Sequence, residues 1–311
     1  MARYLVTGGA GFIGSNIVDE LVRRGDTVTV LDNFTTGAQA NLAAVTDRIT
    51  LVPGDICDLS LTQKLAKEAE YILHLAALPS VPRSIADPLA TNRHNVEGSL
   101  NVLWAAKEAG VKRVVVASSS SVYGESAELP KRESQVPRPI SPYAVSKHAV
   151  EEYALSFHRL YGLPVVLLRY FNVFGPRQSP QSQYAAAIAK FVHGALRGGR
   201  LPIHGDGGQS RDFTFVANVV QANLLACTAA GAAGGVFNIS SGRQITLLEL
   251  VAMLGEIVGR QLDVEYQPAR AGDVRHSLGD ISAARATLGY VPTHDIRAGL
   301  EATVDYFRGL L

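Results

Sequence analysis

From residue 3 to about residue 170 the chain alternates short runs of β-branched and other apolar residues with longer stretches whose apolar positions recur every three or four residues. Runs of the first kind read as strands buried on both faces, and stretches of the second kind as amphipathic helices. Their alternation predicts βαβ units and a parallel sheet. The expected strands lie at 4–7, 27–31, 49–53, 71–75, 113–118 and 165–170, and the expected helices at 13–24, 61–68, 95–109 and 144–160. Six strands in order, each followed by a crossover, predict an α/β fold with a doubly wound sheet.

Beyond about Gly175 the alternation fades, and Gly/Pro turns separate shorter elements around 184–196, 216–228, 247–258 and 281–288. The expectation is a first domain over 1–175 and a smaller, mainly C-terminal domain over 176–311. A later strand near 210–240, with 236–239 as the candidate, is expected to rejoin the main sheet. A chain of this length buries a sizeable core. The 29 basic and 28 acidic residues leave a formal charge of +1, so no strong field points to nucleic acid or to a membrane surface. No run approaches the ~20 apolar residues of a spanning helix. The strand pattern starts at residue 4, too early for a signal peptide before it, so the expected compartment is the cytoplasm. Cys57 and Cys227 share no motif and read as buried free thiols, and the eight histidines are too scattered to predict a metal site.

The first strand runs into Thr7-Gly8-Gly9-Ala10-Gly11-Phe12-Ile13-Gly14, which opens an amphipathic helix. Glycines at 8, 11 and 14 depart from the G-x-G-x-x-G spacing, yet their physics is the same: a tight turn, close backbone approach and a helix N-terminus that holds a pyrophosphate. Asp32 ends the second strand 18 residues after Gly14. A carboxylate there accepts hydrogen bonds from an adenosine ribose and repels a 2′-phosphate, which favours NAD over NADP. Asp55-Ile56 and Leu75-Ala76-Ala77 end the third and fourth strands, on the edge where such sheets bind ligands. Asp55 reads equally well as a turn residue that caps the next helix.

The fifth strand ends in Ser118-Ser119-Ser120-Ser121-Val122-Tyr123-Gly124, and Tyr143 and Lys147 stand i and i+4 on a helix introduced by Ser141-Pro142. A free tyrosine has a pKa of about 10, so acting as a base near neutrality needs about 4 kcal/mol of differential stabilisation. A lysine ammonium and a positively charged nicotinamide are suitable sources. Taken alone, the spacing is also that of an ordinary Tyr/Lys pair on an exposed helix.

TGGAGFIG, Asp32, the serine run ending in VYG, and Tyr143-x-x-x-Lys147, in this order, closely resemble the extended short-chain dehydrogenase/reductase family, over essentially the whole chain. RYFNVFGPR from Arg169 to Arg177, Ser210-Arg211-Asp212-Phe213 and Arg270-Ala271-Gly272-Asp273 resemble its nucleotide-sugar branch, in particular the UDP-hexose 4-epimerases. The resemblance implies a Rossmann-type sheet, an isomerase and an NAD cofactor. It implies that Tyr143 takes the proton from the sugar 4-hydroxyl while hydride leaves C4, that Ser119 hydrogen-bonds the same hydroxyl, and that Lys147 binds the nicotinamide ribose and lowers the Tyr143 pKa. The cofactor contacts it implies are Gly8, Gly11, Phe12, Ile13, Gly14, Asp32, Asn33, Asp55, Ile56, Leu75, Ala76, Ala77, Asn95, Ser118, Tyr143, Lys147 and Tyr170. Those implied for a UDP-sugar are Ser80, Ser119, Ser120, Asn172, Arg211, Arg270, Asp273 and Ser277. Relatives dimerise through the helices corresponding to 95–109 and 144–160 as a four-helix bundle, so a homodimer is expected, with Leu100, Leu103 and Trp104 on its face.

Where the related 4,6-dehydratases carry Thr-Asp-Glu and the glucuronate decarboxylases Thr-Ser-Glu, this chain has Ser119-Ser120-Ser121. Elimination needs an acid or base at the C5–C6 end of the sugar, and serine is a poor one. Epimerisation at C4 is the reading favoured, with UDP-glucuronate epimerisation and the lyase reactions as alternatives. Ser277 matches a position where a large aromatic restricts such enzymes to non-acetylated sugars, so a serine implies room for an N-acetyl group. Arg83 reads as a surface residue or as a contact for a sugar carboxylate.

Overall fold

The computed structural model describes residues 1–180, 187–268 and 275–311. Six strands, β1 (Arg3–Thr7), β2 (Thr27–Asp32), β3 (Thr50–Pro53), β4 (Tyr71–His74), β5 (Arg113–Ser119) and β6 (Val165–Tyr170), lie within a residue of the expected bounds. With the strand Gly235–Ile239 they form a seven-stranded sheet in the order Gly235–Ile239, β6, β5, β4, β1, β2, β3, parallel at every pairing. The late strand pairs with β6 from Gly235↔Val166 to Ile239↔Tyr170.

Strand alternation splits the core into two layers. Val6, Val30, Leu73, Val115 and Val166 face one side and pack under α1 (Phe12–Arg23), α8 (Val216–Thr228) and α10 (Ser282–Leu288). Leu5, Leu31, Ile72, Val114 and Val165 face the other, under α2 (Leu59–Ala66), α5 (Gly98–Ala109) and α6 (Pro142–Tyr161). Each such side chain, fully removed from water, contributes about 1.5–3 kcal/mol. A third cluster lies beyond the strand ends. It gathers Phe174, Phe213 and Phe215 with Ile188 and Phe191 of α7 (Ala187–Arg197), Leu250 and Leu254 of α9 (Leu247–Val258), and Leu300 and Phe307 of α11 (Ile296–Arg308). A short parallel pair, Leu201–His204 with Val264–Gln267, closes it.

Several elements differ from the sequence expectation. The helix expected over 95–109 begins as α5 at Gly98 and is preceded by α3 (Val81–Ala86), α4 (Pro88–Asn92) and a π-helical turn, Arg93–Glu97. Prolines at the first turns of α3 and α4, with Ser80 and Asp87 capping, start two short helices where apolar periodicity is too brief to read. A 3-10 segment, Gln39–Arg48, buries Leu42 and Val45, and Asp295 caps α11 by accepting from Ala298 N at 2.9 Å. Cys227 is buried as expected but Cys57 is only half-buried, and both are free thiols. Among the described residues no helix is long and apolar enough to cross a membrane.

Candidate active site

The strand order reverses between β1 and β4, and a cavity opens there at the carboxyl ends of the parallel strands. The turn after β1 forms its floor. Gly8 has φ +72, and a Cβ there would lie 2.6 Å from the Ala76 nitrogen and 2.8 Å from its Cα. A Cβ on Gly14 would overlap the Gly8 carbonyl oxygen, so α1 rests directly on the turn. Gly11 caps α1 without a side-chain hydrogen bond, which leaves first-turn N–H groups of Phe12, Ile13 and Gly14 aimed at the cavity they line. Asp32 is buried at the end of β2, where its carboxylate accepts from Ala10 N at 2.9 Å and from Phe34 N at 2.8 Å. Each oxygen keeps a second lone pair for a ribose hydroxyl. A glycine cradle, an uncapped helix start and a fixed carboxylate together fit a dinucleotide.

Most of the expected cofactor contacts meet in this cavity: Gly8, Gly11, Phe12, Ile13, Gly14, Asp32 and Asn33 on one side, and Ile56, Leu75, Ala76, Ala77, Ser118, Tyr143, Lys147 and Tyr170 across from them. Asp55 and Asn95 stand behind the lining. Asp55 accepts from Asn33 Nδ2 at 2.9 Å and from Cys57 N at 2.8 Å, with His94 Nδ1 at 3.6 Å, which holds its carboxyl below the usual range despite partial burial. It therefore does turn work, as in the other reading of this residue, but the cap of the next helix, α2, is Asp58, which accepts from Leu61 N at 3.0 Å. Cys57 Sγ lies 3.8 Å from His94 Nδ1, so Asp55, Cys57 and His94 place potential metal ligands together. The carboxylate is already committed to two donors, however, and burial with the Asp55 carboxylate pushes the thiol up to about 11.

Asn95 belongs to a buried polar chain beneath the cavity. Ser99 Oγ donates to the Asn95 carbonyl, so His74 Nε2–H donates to Ser99 at 2.8 Å and His74 Nδ1 accepts from Thr7 Oγ1 at 2.7 Å. Asn95 also accepts from Leu78 N at 2.7 Å and donates to Ser146 Oγ at 3.0 Å, which donates to the Tyr143 carbonyl at 2.8 Å. The chain joins the loop after β4 to the start of α6. Burial, and secondarily Lys147, pushes His74 down to about 3, so it stays neutral.

Ser141 caps α6 by accepting from Ala144 N at 3.2 Å, and Pro142 takes the first helical position. Tyr143 and Lys147 then face the ends of β5 and β4. Burial raises the Tyr143 pKa, and a hydrogen bond with Ser119 draws it down in part. Lys147 donates to the Ala117 carbonyl at 2.8 Å, and burial lowers it to about 8, opposed by Glu151. In the protein alone, therefore, Tyr143 is held protonated rather than lowered by Lys147, because desolvation is the larger effect. Tyr170 lines the cavity and donates to Asn223 Oδ1 at 3.0 Å.

A second cleft adjoins the first, lined by Ser80, Asn172 and Arg211 together with Lys190, His204, Gln209 and Gln267. Ser80 sits at φ +101, a conformation that costs a non-glycine residue of the order of 1–3 kcal/mol, while capping α3 through Arg83 N at 3.3 Å. Asn172, at φ +35, donates to the Asp212 carbonyl at 3.0 Å and to Ser277 Oγ at 3.5 Å. Arg211 donates to the Ser210 and Arg275 carbonyls, each at 3.0 Å. Ser120 opens the helical turn Ser120–Tyr123 after β5. Arg270 and Asp273 lie outside the described residues.

The sequence reading missed Thr35 and Thr36 in the cofactor cavity and the polar quartet of the second cleft. The threonines directly follow Asp32-Asn33, and their place after a strand end was the available signal. The quartet had none, because it is gathered from separate short elements.

Residues 4–240 match the model of the NAD dependent epimerase/dehydratase family. The chain is 40% identical over 310 residues to a UDP-glucose 4-epimerase of Mycolicibacterium smegmatis, covering 98% of each chain. It superposes with a TM-score of 0.96 and 41% identity on a UDP-N-acetylglucosamine 4-epimerase from Methanobrevibacter ruminantium in complex with UDP-N-acetylmuramic acid, covering 100% of this chain and 99% of that one. A UDP-glucose 4-epimerase from Thermus thermophilus, solved with NAD, gives 0.91 and 36%, covering 99% and 100%.

Proposed function

Because the chain belongs to the NAD dependent epimerase/dehydratase family, we propose that it is an NAD-dependent 4-epimerase of UDP-hexoses, with UDP-glucose/UDP-galactose and their N-acetylated counterparts as the substrate class. The observation that carries this is that Tyr143 and Lys147 line the same cavity as the glycine turn and Asp32, with Ser119 hydrogen-bonded to Tyr143. Residues 1–175 with the late strand make the cofactor part, and 176–311 mainly the sugar-nucleotide part.

When bound, NAD would supply reversible hydride transfer at C4 of the sugar. Tyr143 removes and restores the 4-hydroxyl proton, with Ser119 donating to the same oxygen. Burial holds Tyr143 protonated, so its activation would come from the Lys147 ammonium together with the positive charge of a bound nicotinamide. Lys147, fixed by the Ala117 carbonyl, orients the nicotinamide ribose. The second cleft takes the UDP diphosphate at Asn172 and Arg211, where arginine offers paired donors, with Arg270 and Asp273 toward the nucleotide. Ser119-Ser120-Ser121 supplies no carboxylic acid beside C5, which favours epimerisation over elimination or decarboxylation.

The homodimer face is revised in one residue. Leu103 is fully buried against the sheet, whereas Val81, Ile85, Leu89, Val145, Tyr153, Leu160 and Tyr161 on α3, α4 and α6 are exposed apolar side chains. A second copy covering α5 and α6 is the arrangement we infer.

The test is Tyr143→Phe, which keeps the ring and removes the proton acceptor. Turnover should fall several hundredfold or more with NAD still bound. Unchanged turnover of every UDP-sugar defeats the mechanism.

A further inference from the structure

Glu151 is 1% exposed, an acidic side chain in the interior of α6. It follows Lys147 by one turn and Tyr143 by two, so the three form a stripe on one helical face. Its Oε1 accepts from Ser118 Oγ at 2.5 Å and from Arg169 Nε at 2.9 Å, and its Oε2 accepts from Arg169 Nη2 at 2.7 Å. Three successive residues of β5 thus meet the stripe: Ala117 with Lys147, Ser118 with Glu151, and Ser119 with Tyr143. Arg169 on β6 is itself seated 4.8 Å over the Tyr123 ring, whose hydroxyl donates to Asn238 at 2.6 Å. Burying an ion pair is costly and is repaid only by complete hydrogen bonding, so a pair in this place invites a reason beyond stability.

We propose that Glu151 is a positioning residue of the reaction centre: it ties the helix face that carries Tyr143 and Lys147 to the ends of β5 and β6 and sets its carboxylate one helical turn from Lys147. The inference rests on the reading of Tyr143 and Lys147 as the reacting pair. Around Lys147 stand Glu151 and Tyr143 on α6 and the neutral His74 on β4. Around Glu151 stand Arg169 on β6, bidentate, and His148 on α6 at 3.8 Å, with Tyr123 beyond the guanidinium. Burial lowers Lys147, and Glu151 is the group that opposes it. With that charge gone, Lys147 loses its proton at lower pH, and with it the charge that activates Tyr143.

The test compares Glu151→Gln and Glu151→Asp with wild type in the full-length, NAD-loaded protein, measuring kcat and KM for an accepted UDP-sugar from about pH 6 to about pH 10. The glutamine variant should lose about tenfold more kcat at the alkaline end than at the acid end, as the alkaline limb moves about one pH unit lower, while KM changes little. The aspartate variant keeps the charge and should lose kcat with the limb unmoved. A glutamine variant whose profile stays where the wild type has it, at full or uniformly reduced kcat, overturns the proposal. Should glutamine alone prevent folding by stranding Arg169, the double variant E151Q/R169Q takes its place; because it also removes the Arg169 cation, its alkaline limb should move down by less than the single variant's, and a limb that stays or moves up overturns the proposal. Tyr143→Phe separates the two claims: retained activity there defeats the underlying reading, whereas its loss beside an unmoved E151Q profile defeats only the role of Glu151.

Discussion

Gly14→Ala adds one methyl group at the point where α1 rests on the turn after β1. The new Cβ would overlap the Gly8 carbonyl oxygen and lie 2.8 Å from the Gly9 Cα and 2.9 Å from the Gly8 carbonyl carbon, all backbone atoms. None can rotate away, so α1 must lift from the turn by of the order of 1 Å, at about 1–3 kcal/mol of overpacking. The first-turn N–H groups move with it. Losing the alignment of one charge-assisted hydrogen bond to a pyrophosphate costs about 1.5–3 kcal/mol, or roughly ten- to hundredfold in Kd for NAD. Calorimetric titration of NAD into the stripped protein, with Tm measured alongside, reads both effects. Gly25→Ala is the control, since its Cβ would meet nothing within 4 Å but its φ is +81. It should lower Tm through about 1–2 kcal/mol of backbone strain and leave the NAD Kd alone. Gly14→Ala binding NAD as tightly as wild type would refute the cradle as described.

Ser277 Oγ accepts from Asn172 Nδ2 at 3.5 Å, and if it faces the sugar, as its match to a size-restricting position implies, Ser277→Tyr should cut turnover of an N-acetylated UDP-hexose by at least about tenfold while sparing UDP-glucose, since a steric clash rejects more strongly than a lost contact; equal loss on both sugars would remove Ser277 as a size gate. Light scattering at micromolar concentration should give twice the 33.1 kDa chain mass, and a single chain mass would end the dimer proposal.

The main sheet was legible because its strands are apolar on both faces, so Leu5 and Val6, or Leu31 and Val30, carry the same signal whichever side they pack against. The cofactor cavity was legible because strand ends are fixed by those same runs, which put Gly8, Asp32 and Ala76 on one edge. Tyr143 and Lys147 were found through helical spacing and the order of motifs. What escaped depends on distant contacts. Glu151 and Arg169 are 18 residues apart, and nothing in either neighbourhood announces their pairing. His74 ends a strand and reads as an ordinary core position until Thr7 and Ser99 are seen on either side. In the C-terminal part α8 and α9 lie where the sequence placed them, whereas the paired strands Leu201–His204 and Val264–Gln267 escaped, because four residues are too few to show a period.

The central claim is that Tyr143 and bound NAD oxidise and re-reduce C4 with no net redox change. Incubating the purified protein with UDP-glucose, UDP-N-acetylglucosamine and UDP-glucuronate separately, without added reductant, and following the anomeric protons by NMR tests it most directly. The account predicts the matching galacto epimer in the UDP-glucose or UDP-N-acetylglucosamine sample, approaching the same equilibrium from either side. Accumulation of a 4-keto sugar or a UDP-pentose, or no conversion in any sample, would contradict it.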